Sequence, residues 1–206
     1  DVSQYTFREG GRQPDTLLFV GNFRHNPNRQ ALEFFVQRVL PLVQQGCPLV
    51  RLVIAGAQAP PRYWSLFQTH NIEFLGKVQN IREVLEKYAV FVCPVLSGSG
   101  VRVKLLEAFA TGIPVVSTPL GAEGLAGNGS HLELAETAEE FAAKLLVFLK
   151  APARAHLLAK RARQKGETEW DIGLMTSRME KYYRQVLRKK LEINEGKRPM
   201  PVSFTR

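Results

Sequence analysis

Cysteine is scarce in this chain, which has two in 206 residues, Cys47 and Cys93, with neither CxxC nor Cys/His ligand spacing. That pattern argues against a structural zinc site and a disulfide framework, and it fits a reducing cytoplasm. Long apolar runs are missing as well. No stretch approaches the ~18 residues that a membrane-crossing helix needs, and Asp1-Val2-Ser3-Gln4-Tyr5 does not read as a signal peptide. The expectation is a cytoplasmic protein, at most peripheral on the inner face of a membrane. The common nucleotide motifs fail too. GxxxxGK[ST] is absent, and Gly98-x-Gly100 falls short of GxGxxG because Val103 stands where the third glycine belongs and because the segment follows the fourth strand instead of the first. No catalytic dyad is visible. His70, His131 and His156 share no predicted face and are read as surface or packing residues, and no metal is expected.

What the chain has is apolar content, 45% of its residues, enough for one packed domain. It also has an excess of positive charge, +9, and the excess is not spread evenly. Residues 1–149 hold 13 basic and 13 acidic side chains, whereas residues 150–206 hold 15 basic and 6 acidic.

Residues 1–15 lack periodicity and close on the turn signal Pro14-Asp15, so they read as a hinge or linker. From residue 16 onward, short unbroken apolar runs alternate with segments of helical period. Strands are expected at 16–21, 50–55, 72–75, 90–95, 114–117 and 132–134. Helices are expected near 28–43, 62–69, 81–88, 101–111, 138–150, 152–165 and 172–190, and residues 191–206 read as a tail. Strands that are apolar throughout, without alternation, are buried on both faces, as parallel strands between helical layers are. The fold class is therefore α/β, a doubly wound, Rossmann-like parallel six-stranded sheet with helices on both faces and extra C-terminal helices. In such sheets ligands bind beyond the carboxyl ends of the strands, which directs attention to the loops 22–28, 96–100 and 118–129.

Ser97-Gly98-Ser99-Gly100-Val101-Arg102-Val103-Lys104 follows a strand and opens a helix. Unpaired amides and the positive end of the helix dipole favour an anion there, and Arg102 and Lys104 sit unfavourably against that dipole unless an anionic ligand offsets them. Glu107 lies two turns beyond Gly100 on the same face, about 10 Å along the axis, within reach of a ribose attached to that phosphate. A plainer reading of the same residues is a surface pair between Lys104 and Glu107, with the glycines serving only a turn.

The run from Gly98 to Thr118, GSGVRVKLLEAFATGIPVVST, resembles the signature of group 1 glycosyltransferases (family 4) of the GT-B fold, in the branch that reads G-[GS]-G-x-R-x-K-x-L-E-A-x-A-x-G-x-P-V-V-S-T. Gly121-Ala122-Glu123-Gly124-Leu125 continues the likeness, as do Phe19-Val20-Gly21, Pro27-Asn28, Phe74-Leu75-Gly76-Lys77-Val78 and Trp170-Asp171, so that it covers residues 1 to about 190. The resemblance implies a donor-binding C-terminal domain, with the acceptor bound by an N-terminal domain that is absent from this chain. It implies hexosyl transfer with retention from a nucleotide-diphosphate sugar of UDP or GDP type, without a metal or a tightly bound cofactor. Alone, such a domain should bind nucleotide weakly and transfer nothing. By the same resemblance Glu107 binds the ribose hydroxyls, Val78 meets the base through its backbone, and Arg102 and Lys104 face the diphosphate together with Gly21, Asn22, Ser99 and Gly100. Glu123 is either a sugar or phosphate-water contact or an exposed loop carboxylate.

Two positions depart from the pattern. Family members often carry a second glutamate eight residues before the ribose-binding one, in contact with the donor sugar, but that position is Ser99. Many also place an Arg and a Lys after the first strand, where this chain has Asn22 and Pro27; Arg24, His25 and Arg29 are candidates to substitute. Catalytic residues are not assigned, because the acceptor base of this fold usually comes from the other domain. The basic C-terminal helices leave three readings open: a solvated face, an anionic membrane surface, or nucleic acid, which is disfavoured because no aromatic platform or known module accompanies the charge. The rival to a transferase is thus a non-catalytic module that uses this basic face. A nucleotide-sugar epimerase of the same fold would need catalytic carboxylates and histidines that the sequence does not provide in recognisable positions.

Overall fold

The computed structural model describes residues 1–61, 63, 71–125, 127 and 129–195. The expected helix at 62–69 lies outside the described residues apart from Tyr63. Six parallel strands, β1 (Gln13–Val20), β2 (Arg51–Ala55), β3 (Ile72–Gly76), β4 (Tyr88–Cys93), β5 (Val115–Ser117) and β6 (Glu133–Leu134), form one sheet in the order β3-β2-β1-β4-β5-β6. Leu17, Leu18 and Phe19 of β1 and Phe91, Val92 and Cys93 of β4 are fully buried, so both faces of the central strands are covered. Full burial of each large side chain contributes roughly 1.5–3 kcal/mol, which is why these runs do not alternate.

The connecting helices are α1 (Asn26–Phe34) and α2 (Leu40–Gly46), joined by a π turn at Phe35–Val39, then α3 (Ile81–Lys87), α4 (Val103–Thr111), α5 (Ala138–Lys150), α6 (Pro152–Lys165) and α7 (Ile172–Glu195). The π turn answers to Pro41, which has no N–H for an i−4 bond; the Leu40 amide reaches back to Phe35 O instead. Side chains define several helix starts. Asn80 accepts from the Arg82 amide at α3, and Thr137 with Glu140 forms a capping box at α5. α7 runs five residues past the expected end at 190. Among the described residues no helix is long and apolar enough to cross a membrane.

The segment ahead of β1 lies along the domain. The Val2 amide donates to Asp171 Oδ2 at 2.9 Å, Arg163 Nη1 to Tyr5 O at 2.8 Å, and the Arg8 amide to Thr111 O at 3.2 Å. Arg12 is half-buried, and its guanidinium donates to the carbonyls of Leu85, Tyr88 and Thr111, tying the ends of α3 and α4 to the start of β1. Burial lowers its pKa to about 10, which still leaves it a cation at neutral pH. His131 is a packing residue. It is buried between Phe109 and Trp170, its Nε2 is 2.9 Å from Leu125 O, and burial depresses its pKa.

Candidate functional site

The strand order reverses between β1 and β4, since successive crossovers run outward from β1 to β3 on one side and from β4 to β6 on the other. At this switch point the loops after the two strands diverge and leave a crevice, the usual ligand position in open α/β sheets. A cavity of about 770 Å³ occupies it. Of the residues expected from sequence, Gly21, Asn22, Val78, Ser99, Arg102 and Lys104 line this cavity.

Backbone proximity builds the wall. The Gly21 amide donates to Ala55 O at 3.0 Å and the Phe23 amide to Ala57 O at 3.0 Å, which holds the β1 loop against the end of β2. At Gly56 an added Cβ would lie 2.0 Å from Gly21 O, so only glycine fits. On the other side Gly98 and Gly100 take φ of +98° and +89°, conformations that other residues rarely adopt. They carry the chain from β4 to the start of α4 at Arg102, where no side chain caps the helix.

The two cations differ in how they are held. Lys104 Nζ donates to Val20 O at 3.0 Å and Asn28 Oδ1 at 3.2 Å, both neutral acceptors. Arg102 Nη1 donates to Ser99 O at 2.8 Å, while its Nε and Nη2 are buried without a partner. Buried donors without acceptors cost about 1–3 kcal/mol each. Among the described residues neither cation joins a salt bridge. The surface pair between Lys104 and Glu107 is therefore not formed, and among the described residues no carboxylate pairs directly with either cation at the helix start.

Three expected residues lie elsewhere. Glu107 borders a second cavity of about 340 Å³ with Tyr5 and Trp170, and its Oε1 accepts from Tyr5 Oη at 3.0 Å. Val103 lines both cavities, so the two are neighbours. Gly100 does not offer a free amide: its N–H donates to Glu123 Oε2 at 2.8 Å, and neither residue lines the main cavity. That corrects the expectation of an open amide at Gly100, because Glu123 already supplies the anion. Of the three candidate loop cations, His25 lines the cavity and Arg24 does not. Arg29 turns toward Phe23 O and Asn26 Oδ1.

Sequence reasoning missed Asn28, Gly56 and Lys77, all of which line the cavity. Asn28 joins the two sides of the site, since its Nδ2 donates to Asn22 O at 2.9 Å while its Oδ1 receives Lys104. A glycine directly after β2, Gly56, and another closing β3, Gly76, were the available signals for the cavity wall and for the turn that leads to Lys77.

The family model of "Glycosyl transferases group 1" matches residues 14–151. A curated relative, the uncharacterized 44.6 kDa protein in the cps region of Klebsiella pneumoniae, is 29% identical over 143 residues, which are 65% of this chain and 37% of the relative. Among solved structures, TarM is similar with a TM-score of 0.72 at 17% identity, over 87% of this chain and 36% of TarM. Anabaena HepE in complex with UDP and glucose gives 0.70 at 14% identity, over 89% of this chain and 54% of that one. The C-terminal domain of a group 1 family protein, LpcC from Francisella tularensis, gives 0.66 at 16% identity, over 84% of this chain and 98% of that domain. The chain thus spans little more than a third of the curated relative and of TarM.

Proposed function

The chain belongs to the group 1 glycosyl transferases, and on that premise we propose that it is the donor-binding domain of a retaining transferase that uses a nucleoside-diphosphate sugar. The observation that carries this reading is the guanidinium of Arg102, with two buried donors unpartnered beside Lys104 at the switch-point cavity. A diphosphate supplies acceptors for those donors and an anion for the start of α4. As the glycosidic bond breaks, the leaving nucleoside diphosphate gains negative charge, and Arg102 and Lys104 meet that charge without a metal. Lys77 and His25 line the same cavity and add polar contacts, Val78 reaches the base through its backbone, and Glu107 takes the ribose. The acceptor and its base belong to a further domain, which the partial coverage of TarM and the curated relative supports; without it the domain transfers nothing. UDP bound to HepE favours UDP over GDP as the first ligand to try. Titration calorimetry with each nucleotide is expected to give a dissociation constant below a millimolar for one of them. No heat with either at millimolar concentration rejects the assignment.

A second contact is favoured by α7. Arg154, Arg163 and Lys165 of the preceding helix are paired with Glu133, Glu167 and Glu169. Among the described residues most of the basic side chains of the C-terminal helices outside any salt bridge lie on α7, at Arg178, Lys181, Arg184, Arg188, Lys189 and Lys190, with Lys160 and Arg161 on α6. The opposite arc exposes Ile172, Met175, Met179, Tyr182 and Val186. Basic and apolar arcs on one exposed helix suit an anionic membrane surface. Co-sedimentation with phosphatidylglycerol vesicles is expected at low salt and lost at high salt. If vesicles bind this strongly and neither UDP nor GDP binds at all, the non-catalytic alternative replaces the transferase.

A further inference from the structure

Glu107, proposed as the ribose contact, stands outside the main cavity with its carboxylate already engaged by another side chain. Its partner is distant in sequence. Tyr5, on the segment ahead of β1, donates its hydroxyl to Oε1 at 3.0 Å, and Oε2 has no partner among the described residues. Tyr5 is itself firmly placed. The Arg82 guanidinium sits 4.9 Å from the centre of its ring, Arg82 also donates to the Gln4 side chain, and Arg163 holds the Tyr5 carbonyl at 2.8 Å. Two residues further on, the Phe7 ring lies where a Cβ on Gly112 would stand, against the end of α4. Burial and the Glu107 charge raise the phenol's pKa, so that it stays protonated and donating at neutral pH.

A half-buried glutamate on the second turn of α4 has several side-chain rotamers, and a ribose diol is bound well only by a carboxylate held in one of them. We propose that Tyr5 is a positioning residue for nucleotide binding: by fixing Oε1 of Glu107 it presents the free Oε2 to the 2′- and 3′-hydroxyls of the nucleotide. Tyr5 does not touch the ligand. It couples the path of the leading segment to the affinity of the donor site, because a shift of residues 1–7 releases the carboxylate. This inference rests on the reading of Glu107 as the ribose contact.

Calorimetry of the full chain with UDP and with 2′,3′-dideoxy-UDP, on the native protein and on Tyr5→Phe, Glu107→Ala and the double variant, tests it. Tyr5→Phe is expected to weaken UDP by about 5–10-fold with no change for the dideoxy nucleotide. Added to Glu107→Ala, it should cost less than twofold, since its effect passes through the carboxylate. Thermal melts of each variant monitor the fold. If Glu107→Ala weakens UDP but Tyr5→Phe does not, or if Tyr5→Phe weakens both nucleotides equally, the positioning role is overturned and the ribose assignment survives. If Glu107→Ala leaves UDP binding unchanged, both fall.

Discussion

Gly56→Ala is expected to lower the melting temperature of this protein by about 6–12 °C and to remove measurable nucleotide binding, although the substitution adds one methyl group. The Cβ would stand 2.0 Å from Gly21 O and 2.6 Å from Phe23 Cε2. Neither neighbour can retreat easily. Gly21 is bonded to Ala55 O, Phe23 to Ala57 O, and the Gly56 amide to Gly76 O, so the backbone is fixed on both sides of the contact. Phe23 is fully buried and packs edge-on against Tyr63. Overpacking at such a site costs ~3 kcal/mol, and a domain of this size loses 2–4 °C per kcal/mol. The loop that must move to relieve the overlap carries Gly21 and Asn22 of the cavity wall, so binding is lost with stability. Gly10→Ala is the control, because nothing lies within 4 Å of its added Cβ. A Gly56→Ala protein that melts within 2 °C of the native chain, by calorimetry or circular dichroism, would show that β1 and β2 are not locked as described.

The same site shows what local sequence can carry. Runs such as Leu17-Leu18-Phe19 and Val90 to Cys93 signal buried parallel strands because burial on both faces leaves a mark on consecutive residues, and the cations at Arg102 and Lys104 stand out because they oppose the helix dipole in their own turn. The start of β1 was not legible for a related reason. Pro14-Asp15 reads as a turn, yet the strand begins at Gln13, and the pairing with β4 shifts register between Gln13 and Leu17 while Asp15 takes φ of +52°. Turn residues here make a bulge inside a strand instead of a boundary. Tyr5 with Glu107, and Gly100 with Glu123, are bonds between residues 102 and 23 positions apart. No periodicity encodes such pairs, since each partner satisfies its local pattern whether or not the other is there. The resemblance implies a ligand role for Glu107, but only tertiary structure reveals that a residue of the leading segment already holds it.

Removing both cations, Arg102→Gln with Lys104→Met, should weaken UDP or GDP by 100-fold or more while the chain remains folded. The replacements keep most of each aliphatic stem while removing the charge, including the Lys104 ammonium that sits over the Phe19 ring. Charge-assisted hydrogen bonds contribute about 1.5–3 kcal/mol each, and two of them account for at least two powers of ten in affinity at 1.4 kcal/mol per tenfold. The loss should fall unequally on the two halves of the ligand. UDP and GDP are expected to lose nearly all of this energy, whereas uridine and guanosine, which lack the diphosphate, should bind the double variant as weakly as they bind the native chain. Lys104→Met also forfeits the bonds to Val20 O and Asn28, for which a modest fall in melting temperature is the expected sign. Arg102→Gln removes the two unpartnered donors along with the single bond from Nη1 to Ser99 O, so the two effects oppose and little net change in the stability of the free protein is expected. A stable free protein with crippled nucleotide binding is the signature of donors kept for a ligand. If instead the double variant binds within threefold of the native chain, the diphosphate does not lie at the start of α4, and the unpartnered guanidinium requires another explanation.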